Sequence, residues 1–224
     1  MMTDAENPAP GRRETRKAER RAAIIEIATR VFLENGYDRT TMSAISEQMG
    51  GSKGTLWSYF TSKEELFAAV LESATAAFRS VMTTVLDPNR AIEDVLTSFV
   101  EKFITRITMP DAIALQRLII SEVEHFPEIG RIFFERAPGR SKALMGDYFA
   151  GQMEAGTLRR DDPVEAAGML LSLCTGGSHQ RIMWGVEAQD ASAIRREASR
   201  IVAQFLRCYG TIDPTGKSRA AALD

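Results

Sequence analysis

Apolar residues recur at three- and four-residue spacings along almost the whole chain, which is the period of an α-helix with one buried face. Ile24, Ile27, Ala28 and Val31 set the first stripe, Phe32 extends it, and Asn35-Gly36 stops it, because glycine takes the left-handed conformation of a helix end at little cost. Met42, Ile45 and Met49 form a short second stripe between Thr41 and Gly50-Gly51. Leu56 and Phe60 form a third, with Ser52 placed to cap it. Ser62-Lys63-Glu64-Glu65 has the pattern of a capping box, serine at the cap and glutamate three residues on. It opens a long helix with Leu66, Phe67, Val70, Leu71, Ala74, Phe78 and Val81 on its inner side.

The same period continues to the end. Asp87-Pro88 breaks the long helix, and Ile92, Val95, Leu96, Phe99, Val100, Phe103 and Ile107 make the next stripe, closed by Met109-Pro110. Helices over 111–124, 128–136 and 141–155 follow, separated by Pro127, Pro138-Gly139 and Gly156. Asp162-Pro163-Val164-Glu165 joins a capping aspartate to proline at the first helical position, and predicts a helix running to about Trp184. A last helix spans about 190–209. No stretch alternates with period two. The pattern therefore predicts an all-α fold of about nine helices, three short ones and then a larger bundle.

Composition narrows the class. A chain of 224 residues with 44% apolar residues can bury a core without disulfides or metals. No apolar run approaches the roughly 18 residues of a membrane span, and the N-terminus has no apolar core of a secretory signal. Cys174 and Cys208 make neither a disulfide framework nor a zinc spacing. These features predict a cytoplasmic protein with no membrane association. The net charge of −2 hides an asymmetry: residues 11–63 carry ten Lys/Arg against six Asp/Glu, and residues 64–224 carry eighteen against twenty-two. A basic N-terminal part on an acidic body suits contact with a polyanion, although a solvated helix face has the same composition.

Residues 38–63 concentrate the candidate chemistry. Two short helices joined by a glycine-containing turn have helix-turn-helix geometry, and a short αα-hairpin in a bundle would read similarly. In the first reading Lys53, Thr55, Trp57, Ser58 and Tyr59 are offered to base edges and phosphates, while Leu56 and Phe60 hold the second helix to its support. Gly54 allows close backbone approach, and Ser52 at the helix start suits a phosphate.

From Arg21 to Leu71 the sequence resembles the DNA-binding domain of the TetR family of transcriptional regulators. The resemblance rests on Ile24, Ala28, Phe32, Asn35-Gly36-Tyr37, Thr40-Thr41-Met42, Ile45, Gly50, Ser52-Lys53-Gly54-Thr55-Leu56, Tyr59-Phe60 and Ser62-Lys63-Glu64-Glu65-Leu66. It implies an all-helical homodimer whose third helix enters the major groove, with a larger C-terminal domain that binds a small ligand. It implies DNA contacts at Thr41, Ser43, Ser52, Lys53, Gly54, Thr55, Trp57, Ser58, Tyr59 and Lys63, with Lys63 and Tyr59 on phosphates. Three positions depart from the family pattern: Ser46 stands where alanine is usual, Gly51 where an apolar residue is usual, and Trp57 where tyrosine is usual. Tryptophan stacks but cannot accept a hydrogen bond, so the operator sequence is expected to differ from those read through tyrosine. The segments Glu122–Glu128 and Gly156–Ala167 resemble the AefR-like subgroup of C-terminal domains, which marks a fold and names no ligand.

The expected organisation is a disordered tail over 1–11, a helix-turn-helix domain over 12–63, a ligand-binding and dimerisation domain over 64–210, and a loose tail over 211–224. Phe99, Phe103, Arg117, Glu122, His125, Met145, Tyr148, Met169, His179 and Trp184 are candidates for the ligand site, although aromatic and methionine stripes also make plain core. The effector expected is apolar or aromatic with one polar end, and Gln116, Arg117, Glu122, His125 and His179 are the groups available to hold that end. Ala198, Ile201, Val202, Phe205 and Leu206 form the stripe expected at the dimer interface. The two cysteines read as inert, and the two histidines lack partners at metal-ligand spacing, so no metal or cofactor is expected. The function read here is a ligand-responsive repressor that binds a palindromic operator as a homodimer. An all-α enzyme is the rival, against which stands the absence of a nucleophile paired with a base. A DNA-architectural protein without an effector is the third reading.

Overall fold

The computed structural model describes residues 11–50 and 53–211, without the side chains of 12, 13, 53 and 77–81. The tails expected at the two ends, Gly51 and the capping role of Ser52 lie outside these residues, apart from Gly11 and Thr211. The described residues form eleven helices and no strand: α1 Arg12–Asn35, α2 Met42–Gln48, α3 Lys53–Trp57, α4 Lys63–Val85, α5 Ile92–Ile107, α6 Pro110–Glu122, α7 Pro127–Arg136, α8 Pro138–Glu154, α9 Pro163–Thr175, α10 Ser178–Met183 and α11 Ala191–Tyr209. The chain divides into two compact units, Met1–Ser73 and Ala74–Asp224. The division falls inside α4, ten residues beyond the boundary expected at 63/64.

In the first unit Ile24, Ala28, Val31 and Phe32 of α1 are buried, as are Ile45 of α2, Leu56 of α3 and Phe67 of α4. Aromatic rings set the centre. Phe32 and Tyr37 stack at 5.8 Å between centroids, and both meet Phe67 edge-on at 5.1 Å. Such pairs contribute roughly 0.5–1.5 kcal/mol beyond their buried area. Gly36 at φ +85 turns the chain out of α1, and Gly50 at φ +62 turns it out of α2, a region costly for any side chain with a Cβ.

The second unit is a bundle in which α8 packs along α9, and α11 lies along α5 with α9 against both. Its core stacks Phe149 on Phe205 at 5.0 Å and Phe205 on Tyr209 at 4.9 Å. The Asp162 carboxylate caps α9 by accepting from the Val164 and Glu165 amides, as its position before Pro163 predicts. Asp190 caps α11 in the same way through the Ser192 amide.

Two findings differ from the pattern reading. The helix expected over 163–184 is two helices, broken at Gly176-Gly177. The cause lies on α11, where the buried Glu197 carboxylate accepts from the Ser178 amide with both oxygens, at 3.0 and 3.1 Å. A Cβ at residue 177 would overlap that carboxylate as it is placed, so a glycine there gives it room to reach the first amide of α10. The stripe Ala198, Ile201, Val202, Phe205 and Leu206 is also not an outward face: each residue is at most 8% exposed within a single chain. Its apolar area is largely covered by α5 and α9 within the chain, and Ile201 also lines an outward groove beside α9.

Candidate nucleic-acid interface and ligand cavity

Helices α2 and α3 are short, and isolated helices of that length are unstable in water. Local bonds and the core hold them. Thr41 Oγ1 accepts from the Ala44 amide at 3.1 Å and caps α2. Thr40, fully buried, donates to the Gly36 carbonyl at 2.6 Å. Leu56 and Phe60 have no exposed surface and anchor α3 from below. On the opposite side Trp57 is 49% exposed, Gly54 and Ser58 are exposed, and Thr55 and Tyr59 are half-buried. The Ser58 hydroxyl donates to the Thr55 carbonyl at 2.7 Å, leaving its lone pairs outward. Thr41 is exposed and Ser43 half-buried. Lys53 begins α3, and its side chain, like Ser52, lies outside the described residues.

Lys63 has a structural task as well as a position. Its ammonium donates to the Tyr37 carbonyl at 3.0 Å and lies 4.2 Å from the centre of the Tyr37 ring. The Tyr37 hydroxyl in turn donates to Glu64 at 3.3 Å. The expected capping box forms with a shift of one residue: Ser62 Oγ accepts from the Glu65 amide, and the Glu65 carboxylate accepts from both the amide and the hydroxyl of Thr61 at 2.7 Å. These two bonds from Thr61, amide first, hold the Glu65 carboxyl below its ordinary value. The start of α4 is thereby tied to the end of α3 and to the α1–α2 turn.

The second unit contains a cavity of about 200 Å³. Phe103, Leu115, Phe133 and Leu171 supply apolar wall from α5, α6, α7 and α9, and Gln116 and His179 supply its polar junction. Gln116 donates its amide hydrogens to two carbonyls, those of Ile107 at 3.1 Å and Ala112 at 3.2 Å. Its oxygen therefore faces His179 Nε2, 2.9 Å away, and that nitrogen carries the proton. Burial pushes the His179 imidazole below its ordinary value, with the Thr175 carbonyl opposing.

Of the residues expected at a ligand site, Phe103 and His179 line this cavity. Phe99 stacks on Phe103 at 5.8 Å, behind the wall. Met145 and Tyr148 belong to the core, and Met169 lines an outward groove between α9 and α11. Arg117 donates to the carbonyls of Ile182 and Met183 and latches α10 to α6. Glu122 and His125 stand at the end of α6, away from the wall, and Trp184 is 76% exposed. Arg106, Arg136 and Thr175 on the wall were not read from the sequence. Their only signal is a polar residue on the inner edge of an amphipathic helix.

Among the described residues no three His, Cys, Asp or Glu side chains cluster as a metal site, and no helix is long and apolar enough to cross a membrane. Cys174 is buried and burial pushes its thiol up, with the charge of Glu197 adding to the effect; such a thiol is a poor nucleophile.

Residues 24–70 match the family model of bacterial regulatory proteins of the tetR family, and residues 94–211, more than half the chain, match that of the AefR-like transcriptional repressor C-terminal domain. The chain belongs to the TetR family. It is 25% identical over 177 residues to the HTH-type transcriptional repressor Rv1474c of Mycobacterium tuberculosis, covering 79% of this chain and 89% of that one. It is 22% identical to the repressor AcnR of Corynebacterium efficiens, over 78% and 87% of the two chains. Among solved structures, a TetR-family transcriptional regulator of Mesorhizobium loti is similar with a TM-score of 0.75 at 29% identity, covering 88% of this chain and 99% of that one. The flavonoid-responsive regulator FrrA is similar with a TM-score of 0.75 at 28% identity, over 88% and 100%.

A TetR-family protein is a DNA-binding transcriptional regulator and not an enzyme. Within the matched N-terminal segment, Trp57 of α3 is exposed.

Proposed function

We propose that this TetR-family regulator is a homodimeric repressor that reads a palindromic operator through α3 and is released by a small, largely apolar effector held in the cavity of the second unit. The observation that carries the reading is α3 itself: five residues pinned from below by Leu56 and Phe60, with Trp57 and Ser58 outward and Lys53 at its start. The repressor role is supported by relatives that are repressors. The cavity supports a ligand through its apolar wall, since burial stabilises a ligand by about 25 cal/mol per Å² of apolar surface. FrrA, similar in fold, is flavonoid-responsive, which supports an aromatic compound.

The second copy packs on the outward groove between α9 and α11, lined by Met169, Leu173 and Ile201 with Arg200 and Gln204 beside them. Two recognition helices one DNA turn apart, about 34–36 Å, then meet successive half-sites. Effector binding favours dimers with another separation, and a coupling of about 1–3 kcal/mol suffices.

Selection of binding sites from random DNA tests the reading. Lys53→Ala is expected to relax preference at one position per half-site, at about 1–3 kcal/mol if a guanine edge is no longer read. Lys63→Ala is expected to weaken all sequences alike and to flatten the dependence of log K on log salt by about 0.9 for each phosphate no longer neutralised. The same selected motif from both variants and the wild type would remove α3 as the reading helix. For the dimer, Leu173→Glu is expected to sediment as a folded monomer that no longer binds a two-half-site operator.

A further inference from the structure

The charged groups on the cavity wall are all cations. Arg106 and Arg136 line it, and among the described residues no aspartate or glutamate does. Arg106 is paired with Asp111 at 3.1 Å, a carboxylate that lies outside the wall. His179 is the remaining titratable group there, and its proton placement is dictated by its neighbours. With Nε2–H donating to Gln116, a neutral ring presents the Nδ1 lone pair to the lone pairs of the Thr175 carbonyl, 3.4 Å away. A proton on Nδ1 converts that contact from repulsive to donating.

Among the described residues on the wall, the ring has no counter-charge. Gln116 of α6 and Thr175 of α9 touch it, and Arg106 of α5 and Arg136 of α7 share the cavity wall. Arg117 is bonded to the Ile182 and Met183 carbonyls, and Arg181 on the same helix as His179 is paired with Glu187 at 2.8 Å. Glu197 of α11 is committed to the Ser178 amide. A ligand is left to supply the negative charge. Size narrows it further: a dry cavity of roughly 150 Å³ is enough for benzene, so about 200 Å³ takes one ring and a small substituent.

We propose that the effector of this cavity is a one-ring aromatic carboxylate, bound with uptake of one proton from solvent onto Nδ1 of His179. The proposal rests on the cavity being the effector site. The free imidazole sits below its ordinary value, and a bound carboxylate raises it, so affinity is greatest at low pH and falls as pH rises between the two values.

Calorimetric titration of the full chain with benzoate, benzamide and benzamidine tests this, since the three are alike in size and differ in charge. Measurements between about pH 6 and 8, in buffers of different ionisation enthalpy, count the protons. Benzoate is expected to bind about tenfold more tightly than benzamide, benzamidine weakest, with proton uptake approaching one per site. His179→Gln keeps a donor for Gln116 but cannot titrate; it is expected to bind benzoate more weakly, with neither proton uptake nor pH slope. In the wild type, ¹⁵N spectra of the His179 ring are expected to show protonation at Nε2 alone without benzoate and at both nitrogens with it, a readout independent of any variant. Benzamide as tight as benzoate, benzoate bound without proton uptake, or uptake that persists in His179→Gln overturns the acid proposal and leaves the apolar cavity standing. Binding of none of the three overturns the cavity reading as well.

Discussion

The two units use similar chemistry in different ways. The first closes around three aromatic rings, Phe32, Tyr37 and Phe67, and carries its proposed DNA-reading surface on the outside of α3. The second also has an aromatic stack, Phe149, Phe205 and Tyr209, but keeps about 200 Å³ open elsewhere in the bundle. A reading head needs fixed side chains on a rigid support, whereas an effector domain needs unfilled volume, which forfeits dispersion contacts along its lining. In the proposed reading, the open volume of the second unit is where a ligand completes the packing.

The sharpest way to break this contrast is the same truncation in each unit. Phe67→Ala and Phe205→Ala each remove a ring with no exposed surface, and each is expected to cost about 3–5 kcal/mol in full-chain thermal unfolding. Hydrogen exchange should then separate them, with protection falling over α1–α3 for the first and over α5, α8, α9 and α11 for the second. Equal loosening of both regions in either variant would mean that the two units unfold as one.

A smaller effect of opposite sign is expected at Tyr148. Its hydroxyl is buried and makes no hydrogen bond, and burial, with the charge of Asp87 adding, pushes it up to about 12. An orphaned buried hydroxyl costs stability, so Tyr148→Phe should leave the melting temperature unchanged or raise it, by no more than about 1 kcal/mol of stability. A clear fall would reveal a partner for that hydroxyl and a more complete core in the second unit than described above.

The smallest effect belongs to the first unit and to acid. Glu65 has a depressed pKa, so its contribution is present above the ordinary value of 4.5 and is lost as pH falls below it. Glu65→Gln should therefore melt slightly lower than the wild type near neutral pH, and the gap should close under acid. A gap that stays constant would assign the effect to shape and not to charge.

Legibility in the sequence follows the same division. Caps and turns are local, so Thr41, Asp162 and Asp190 could be read from single positions, and the α2–α3 motif from its spacing. The cavity could not, because α5, α6, α7 and α9 each contribute a few residues that alone look like ordinary core. The α9–α10 break was hidden for a related reason: its cause, Glu197, lies twenty residues downstream of Gly177. The α11 stripe was legible only as a covered face, because helical periodicity does not say whether the cover is the same chain or another.

That break also constrains how the sequence can drift. Because a side chain at 177 would push the carboxylate at 197 off the Ser178 amide, the two positions are coupled. Replacing Gly177 first creates a clash, and shortening Glu197 first strips the Ser178 amide of its acceptor. Homologues with this junction should keep the pair intact or change both members together, so two sites apart in the sequence behave as one heritable character.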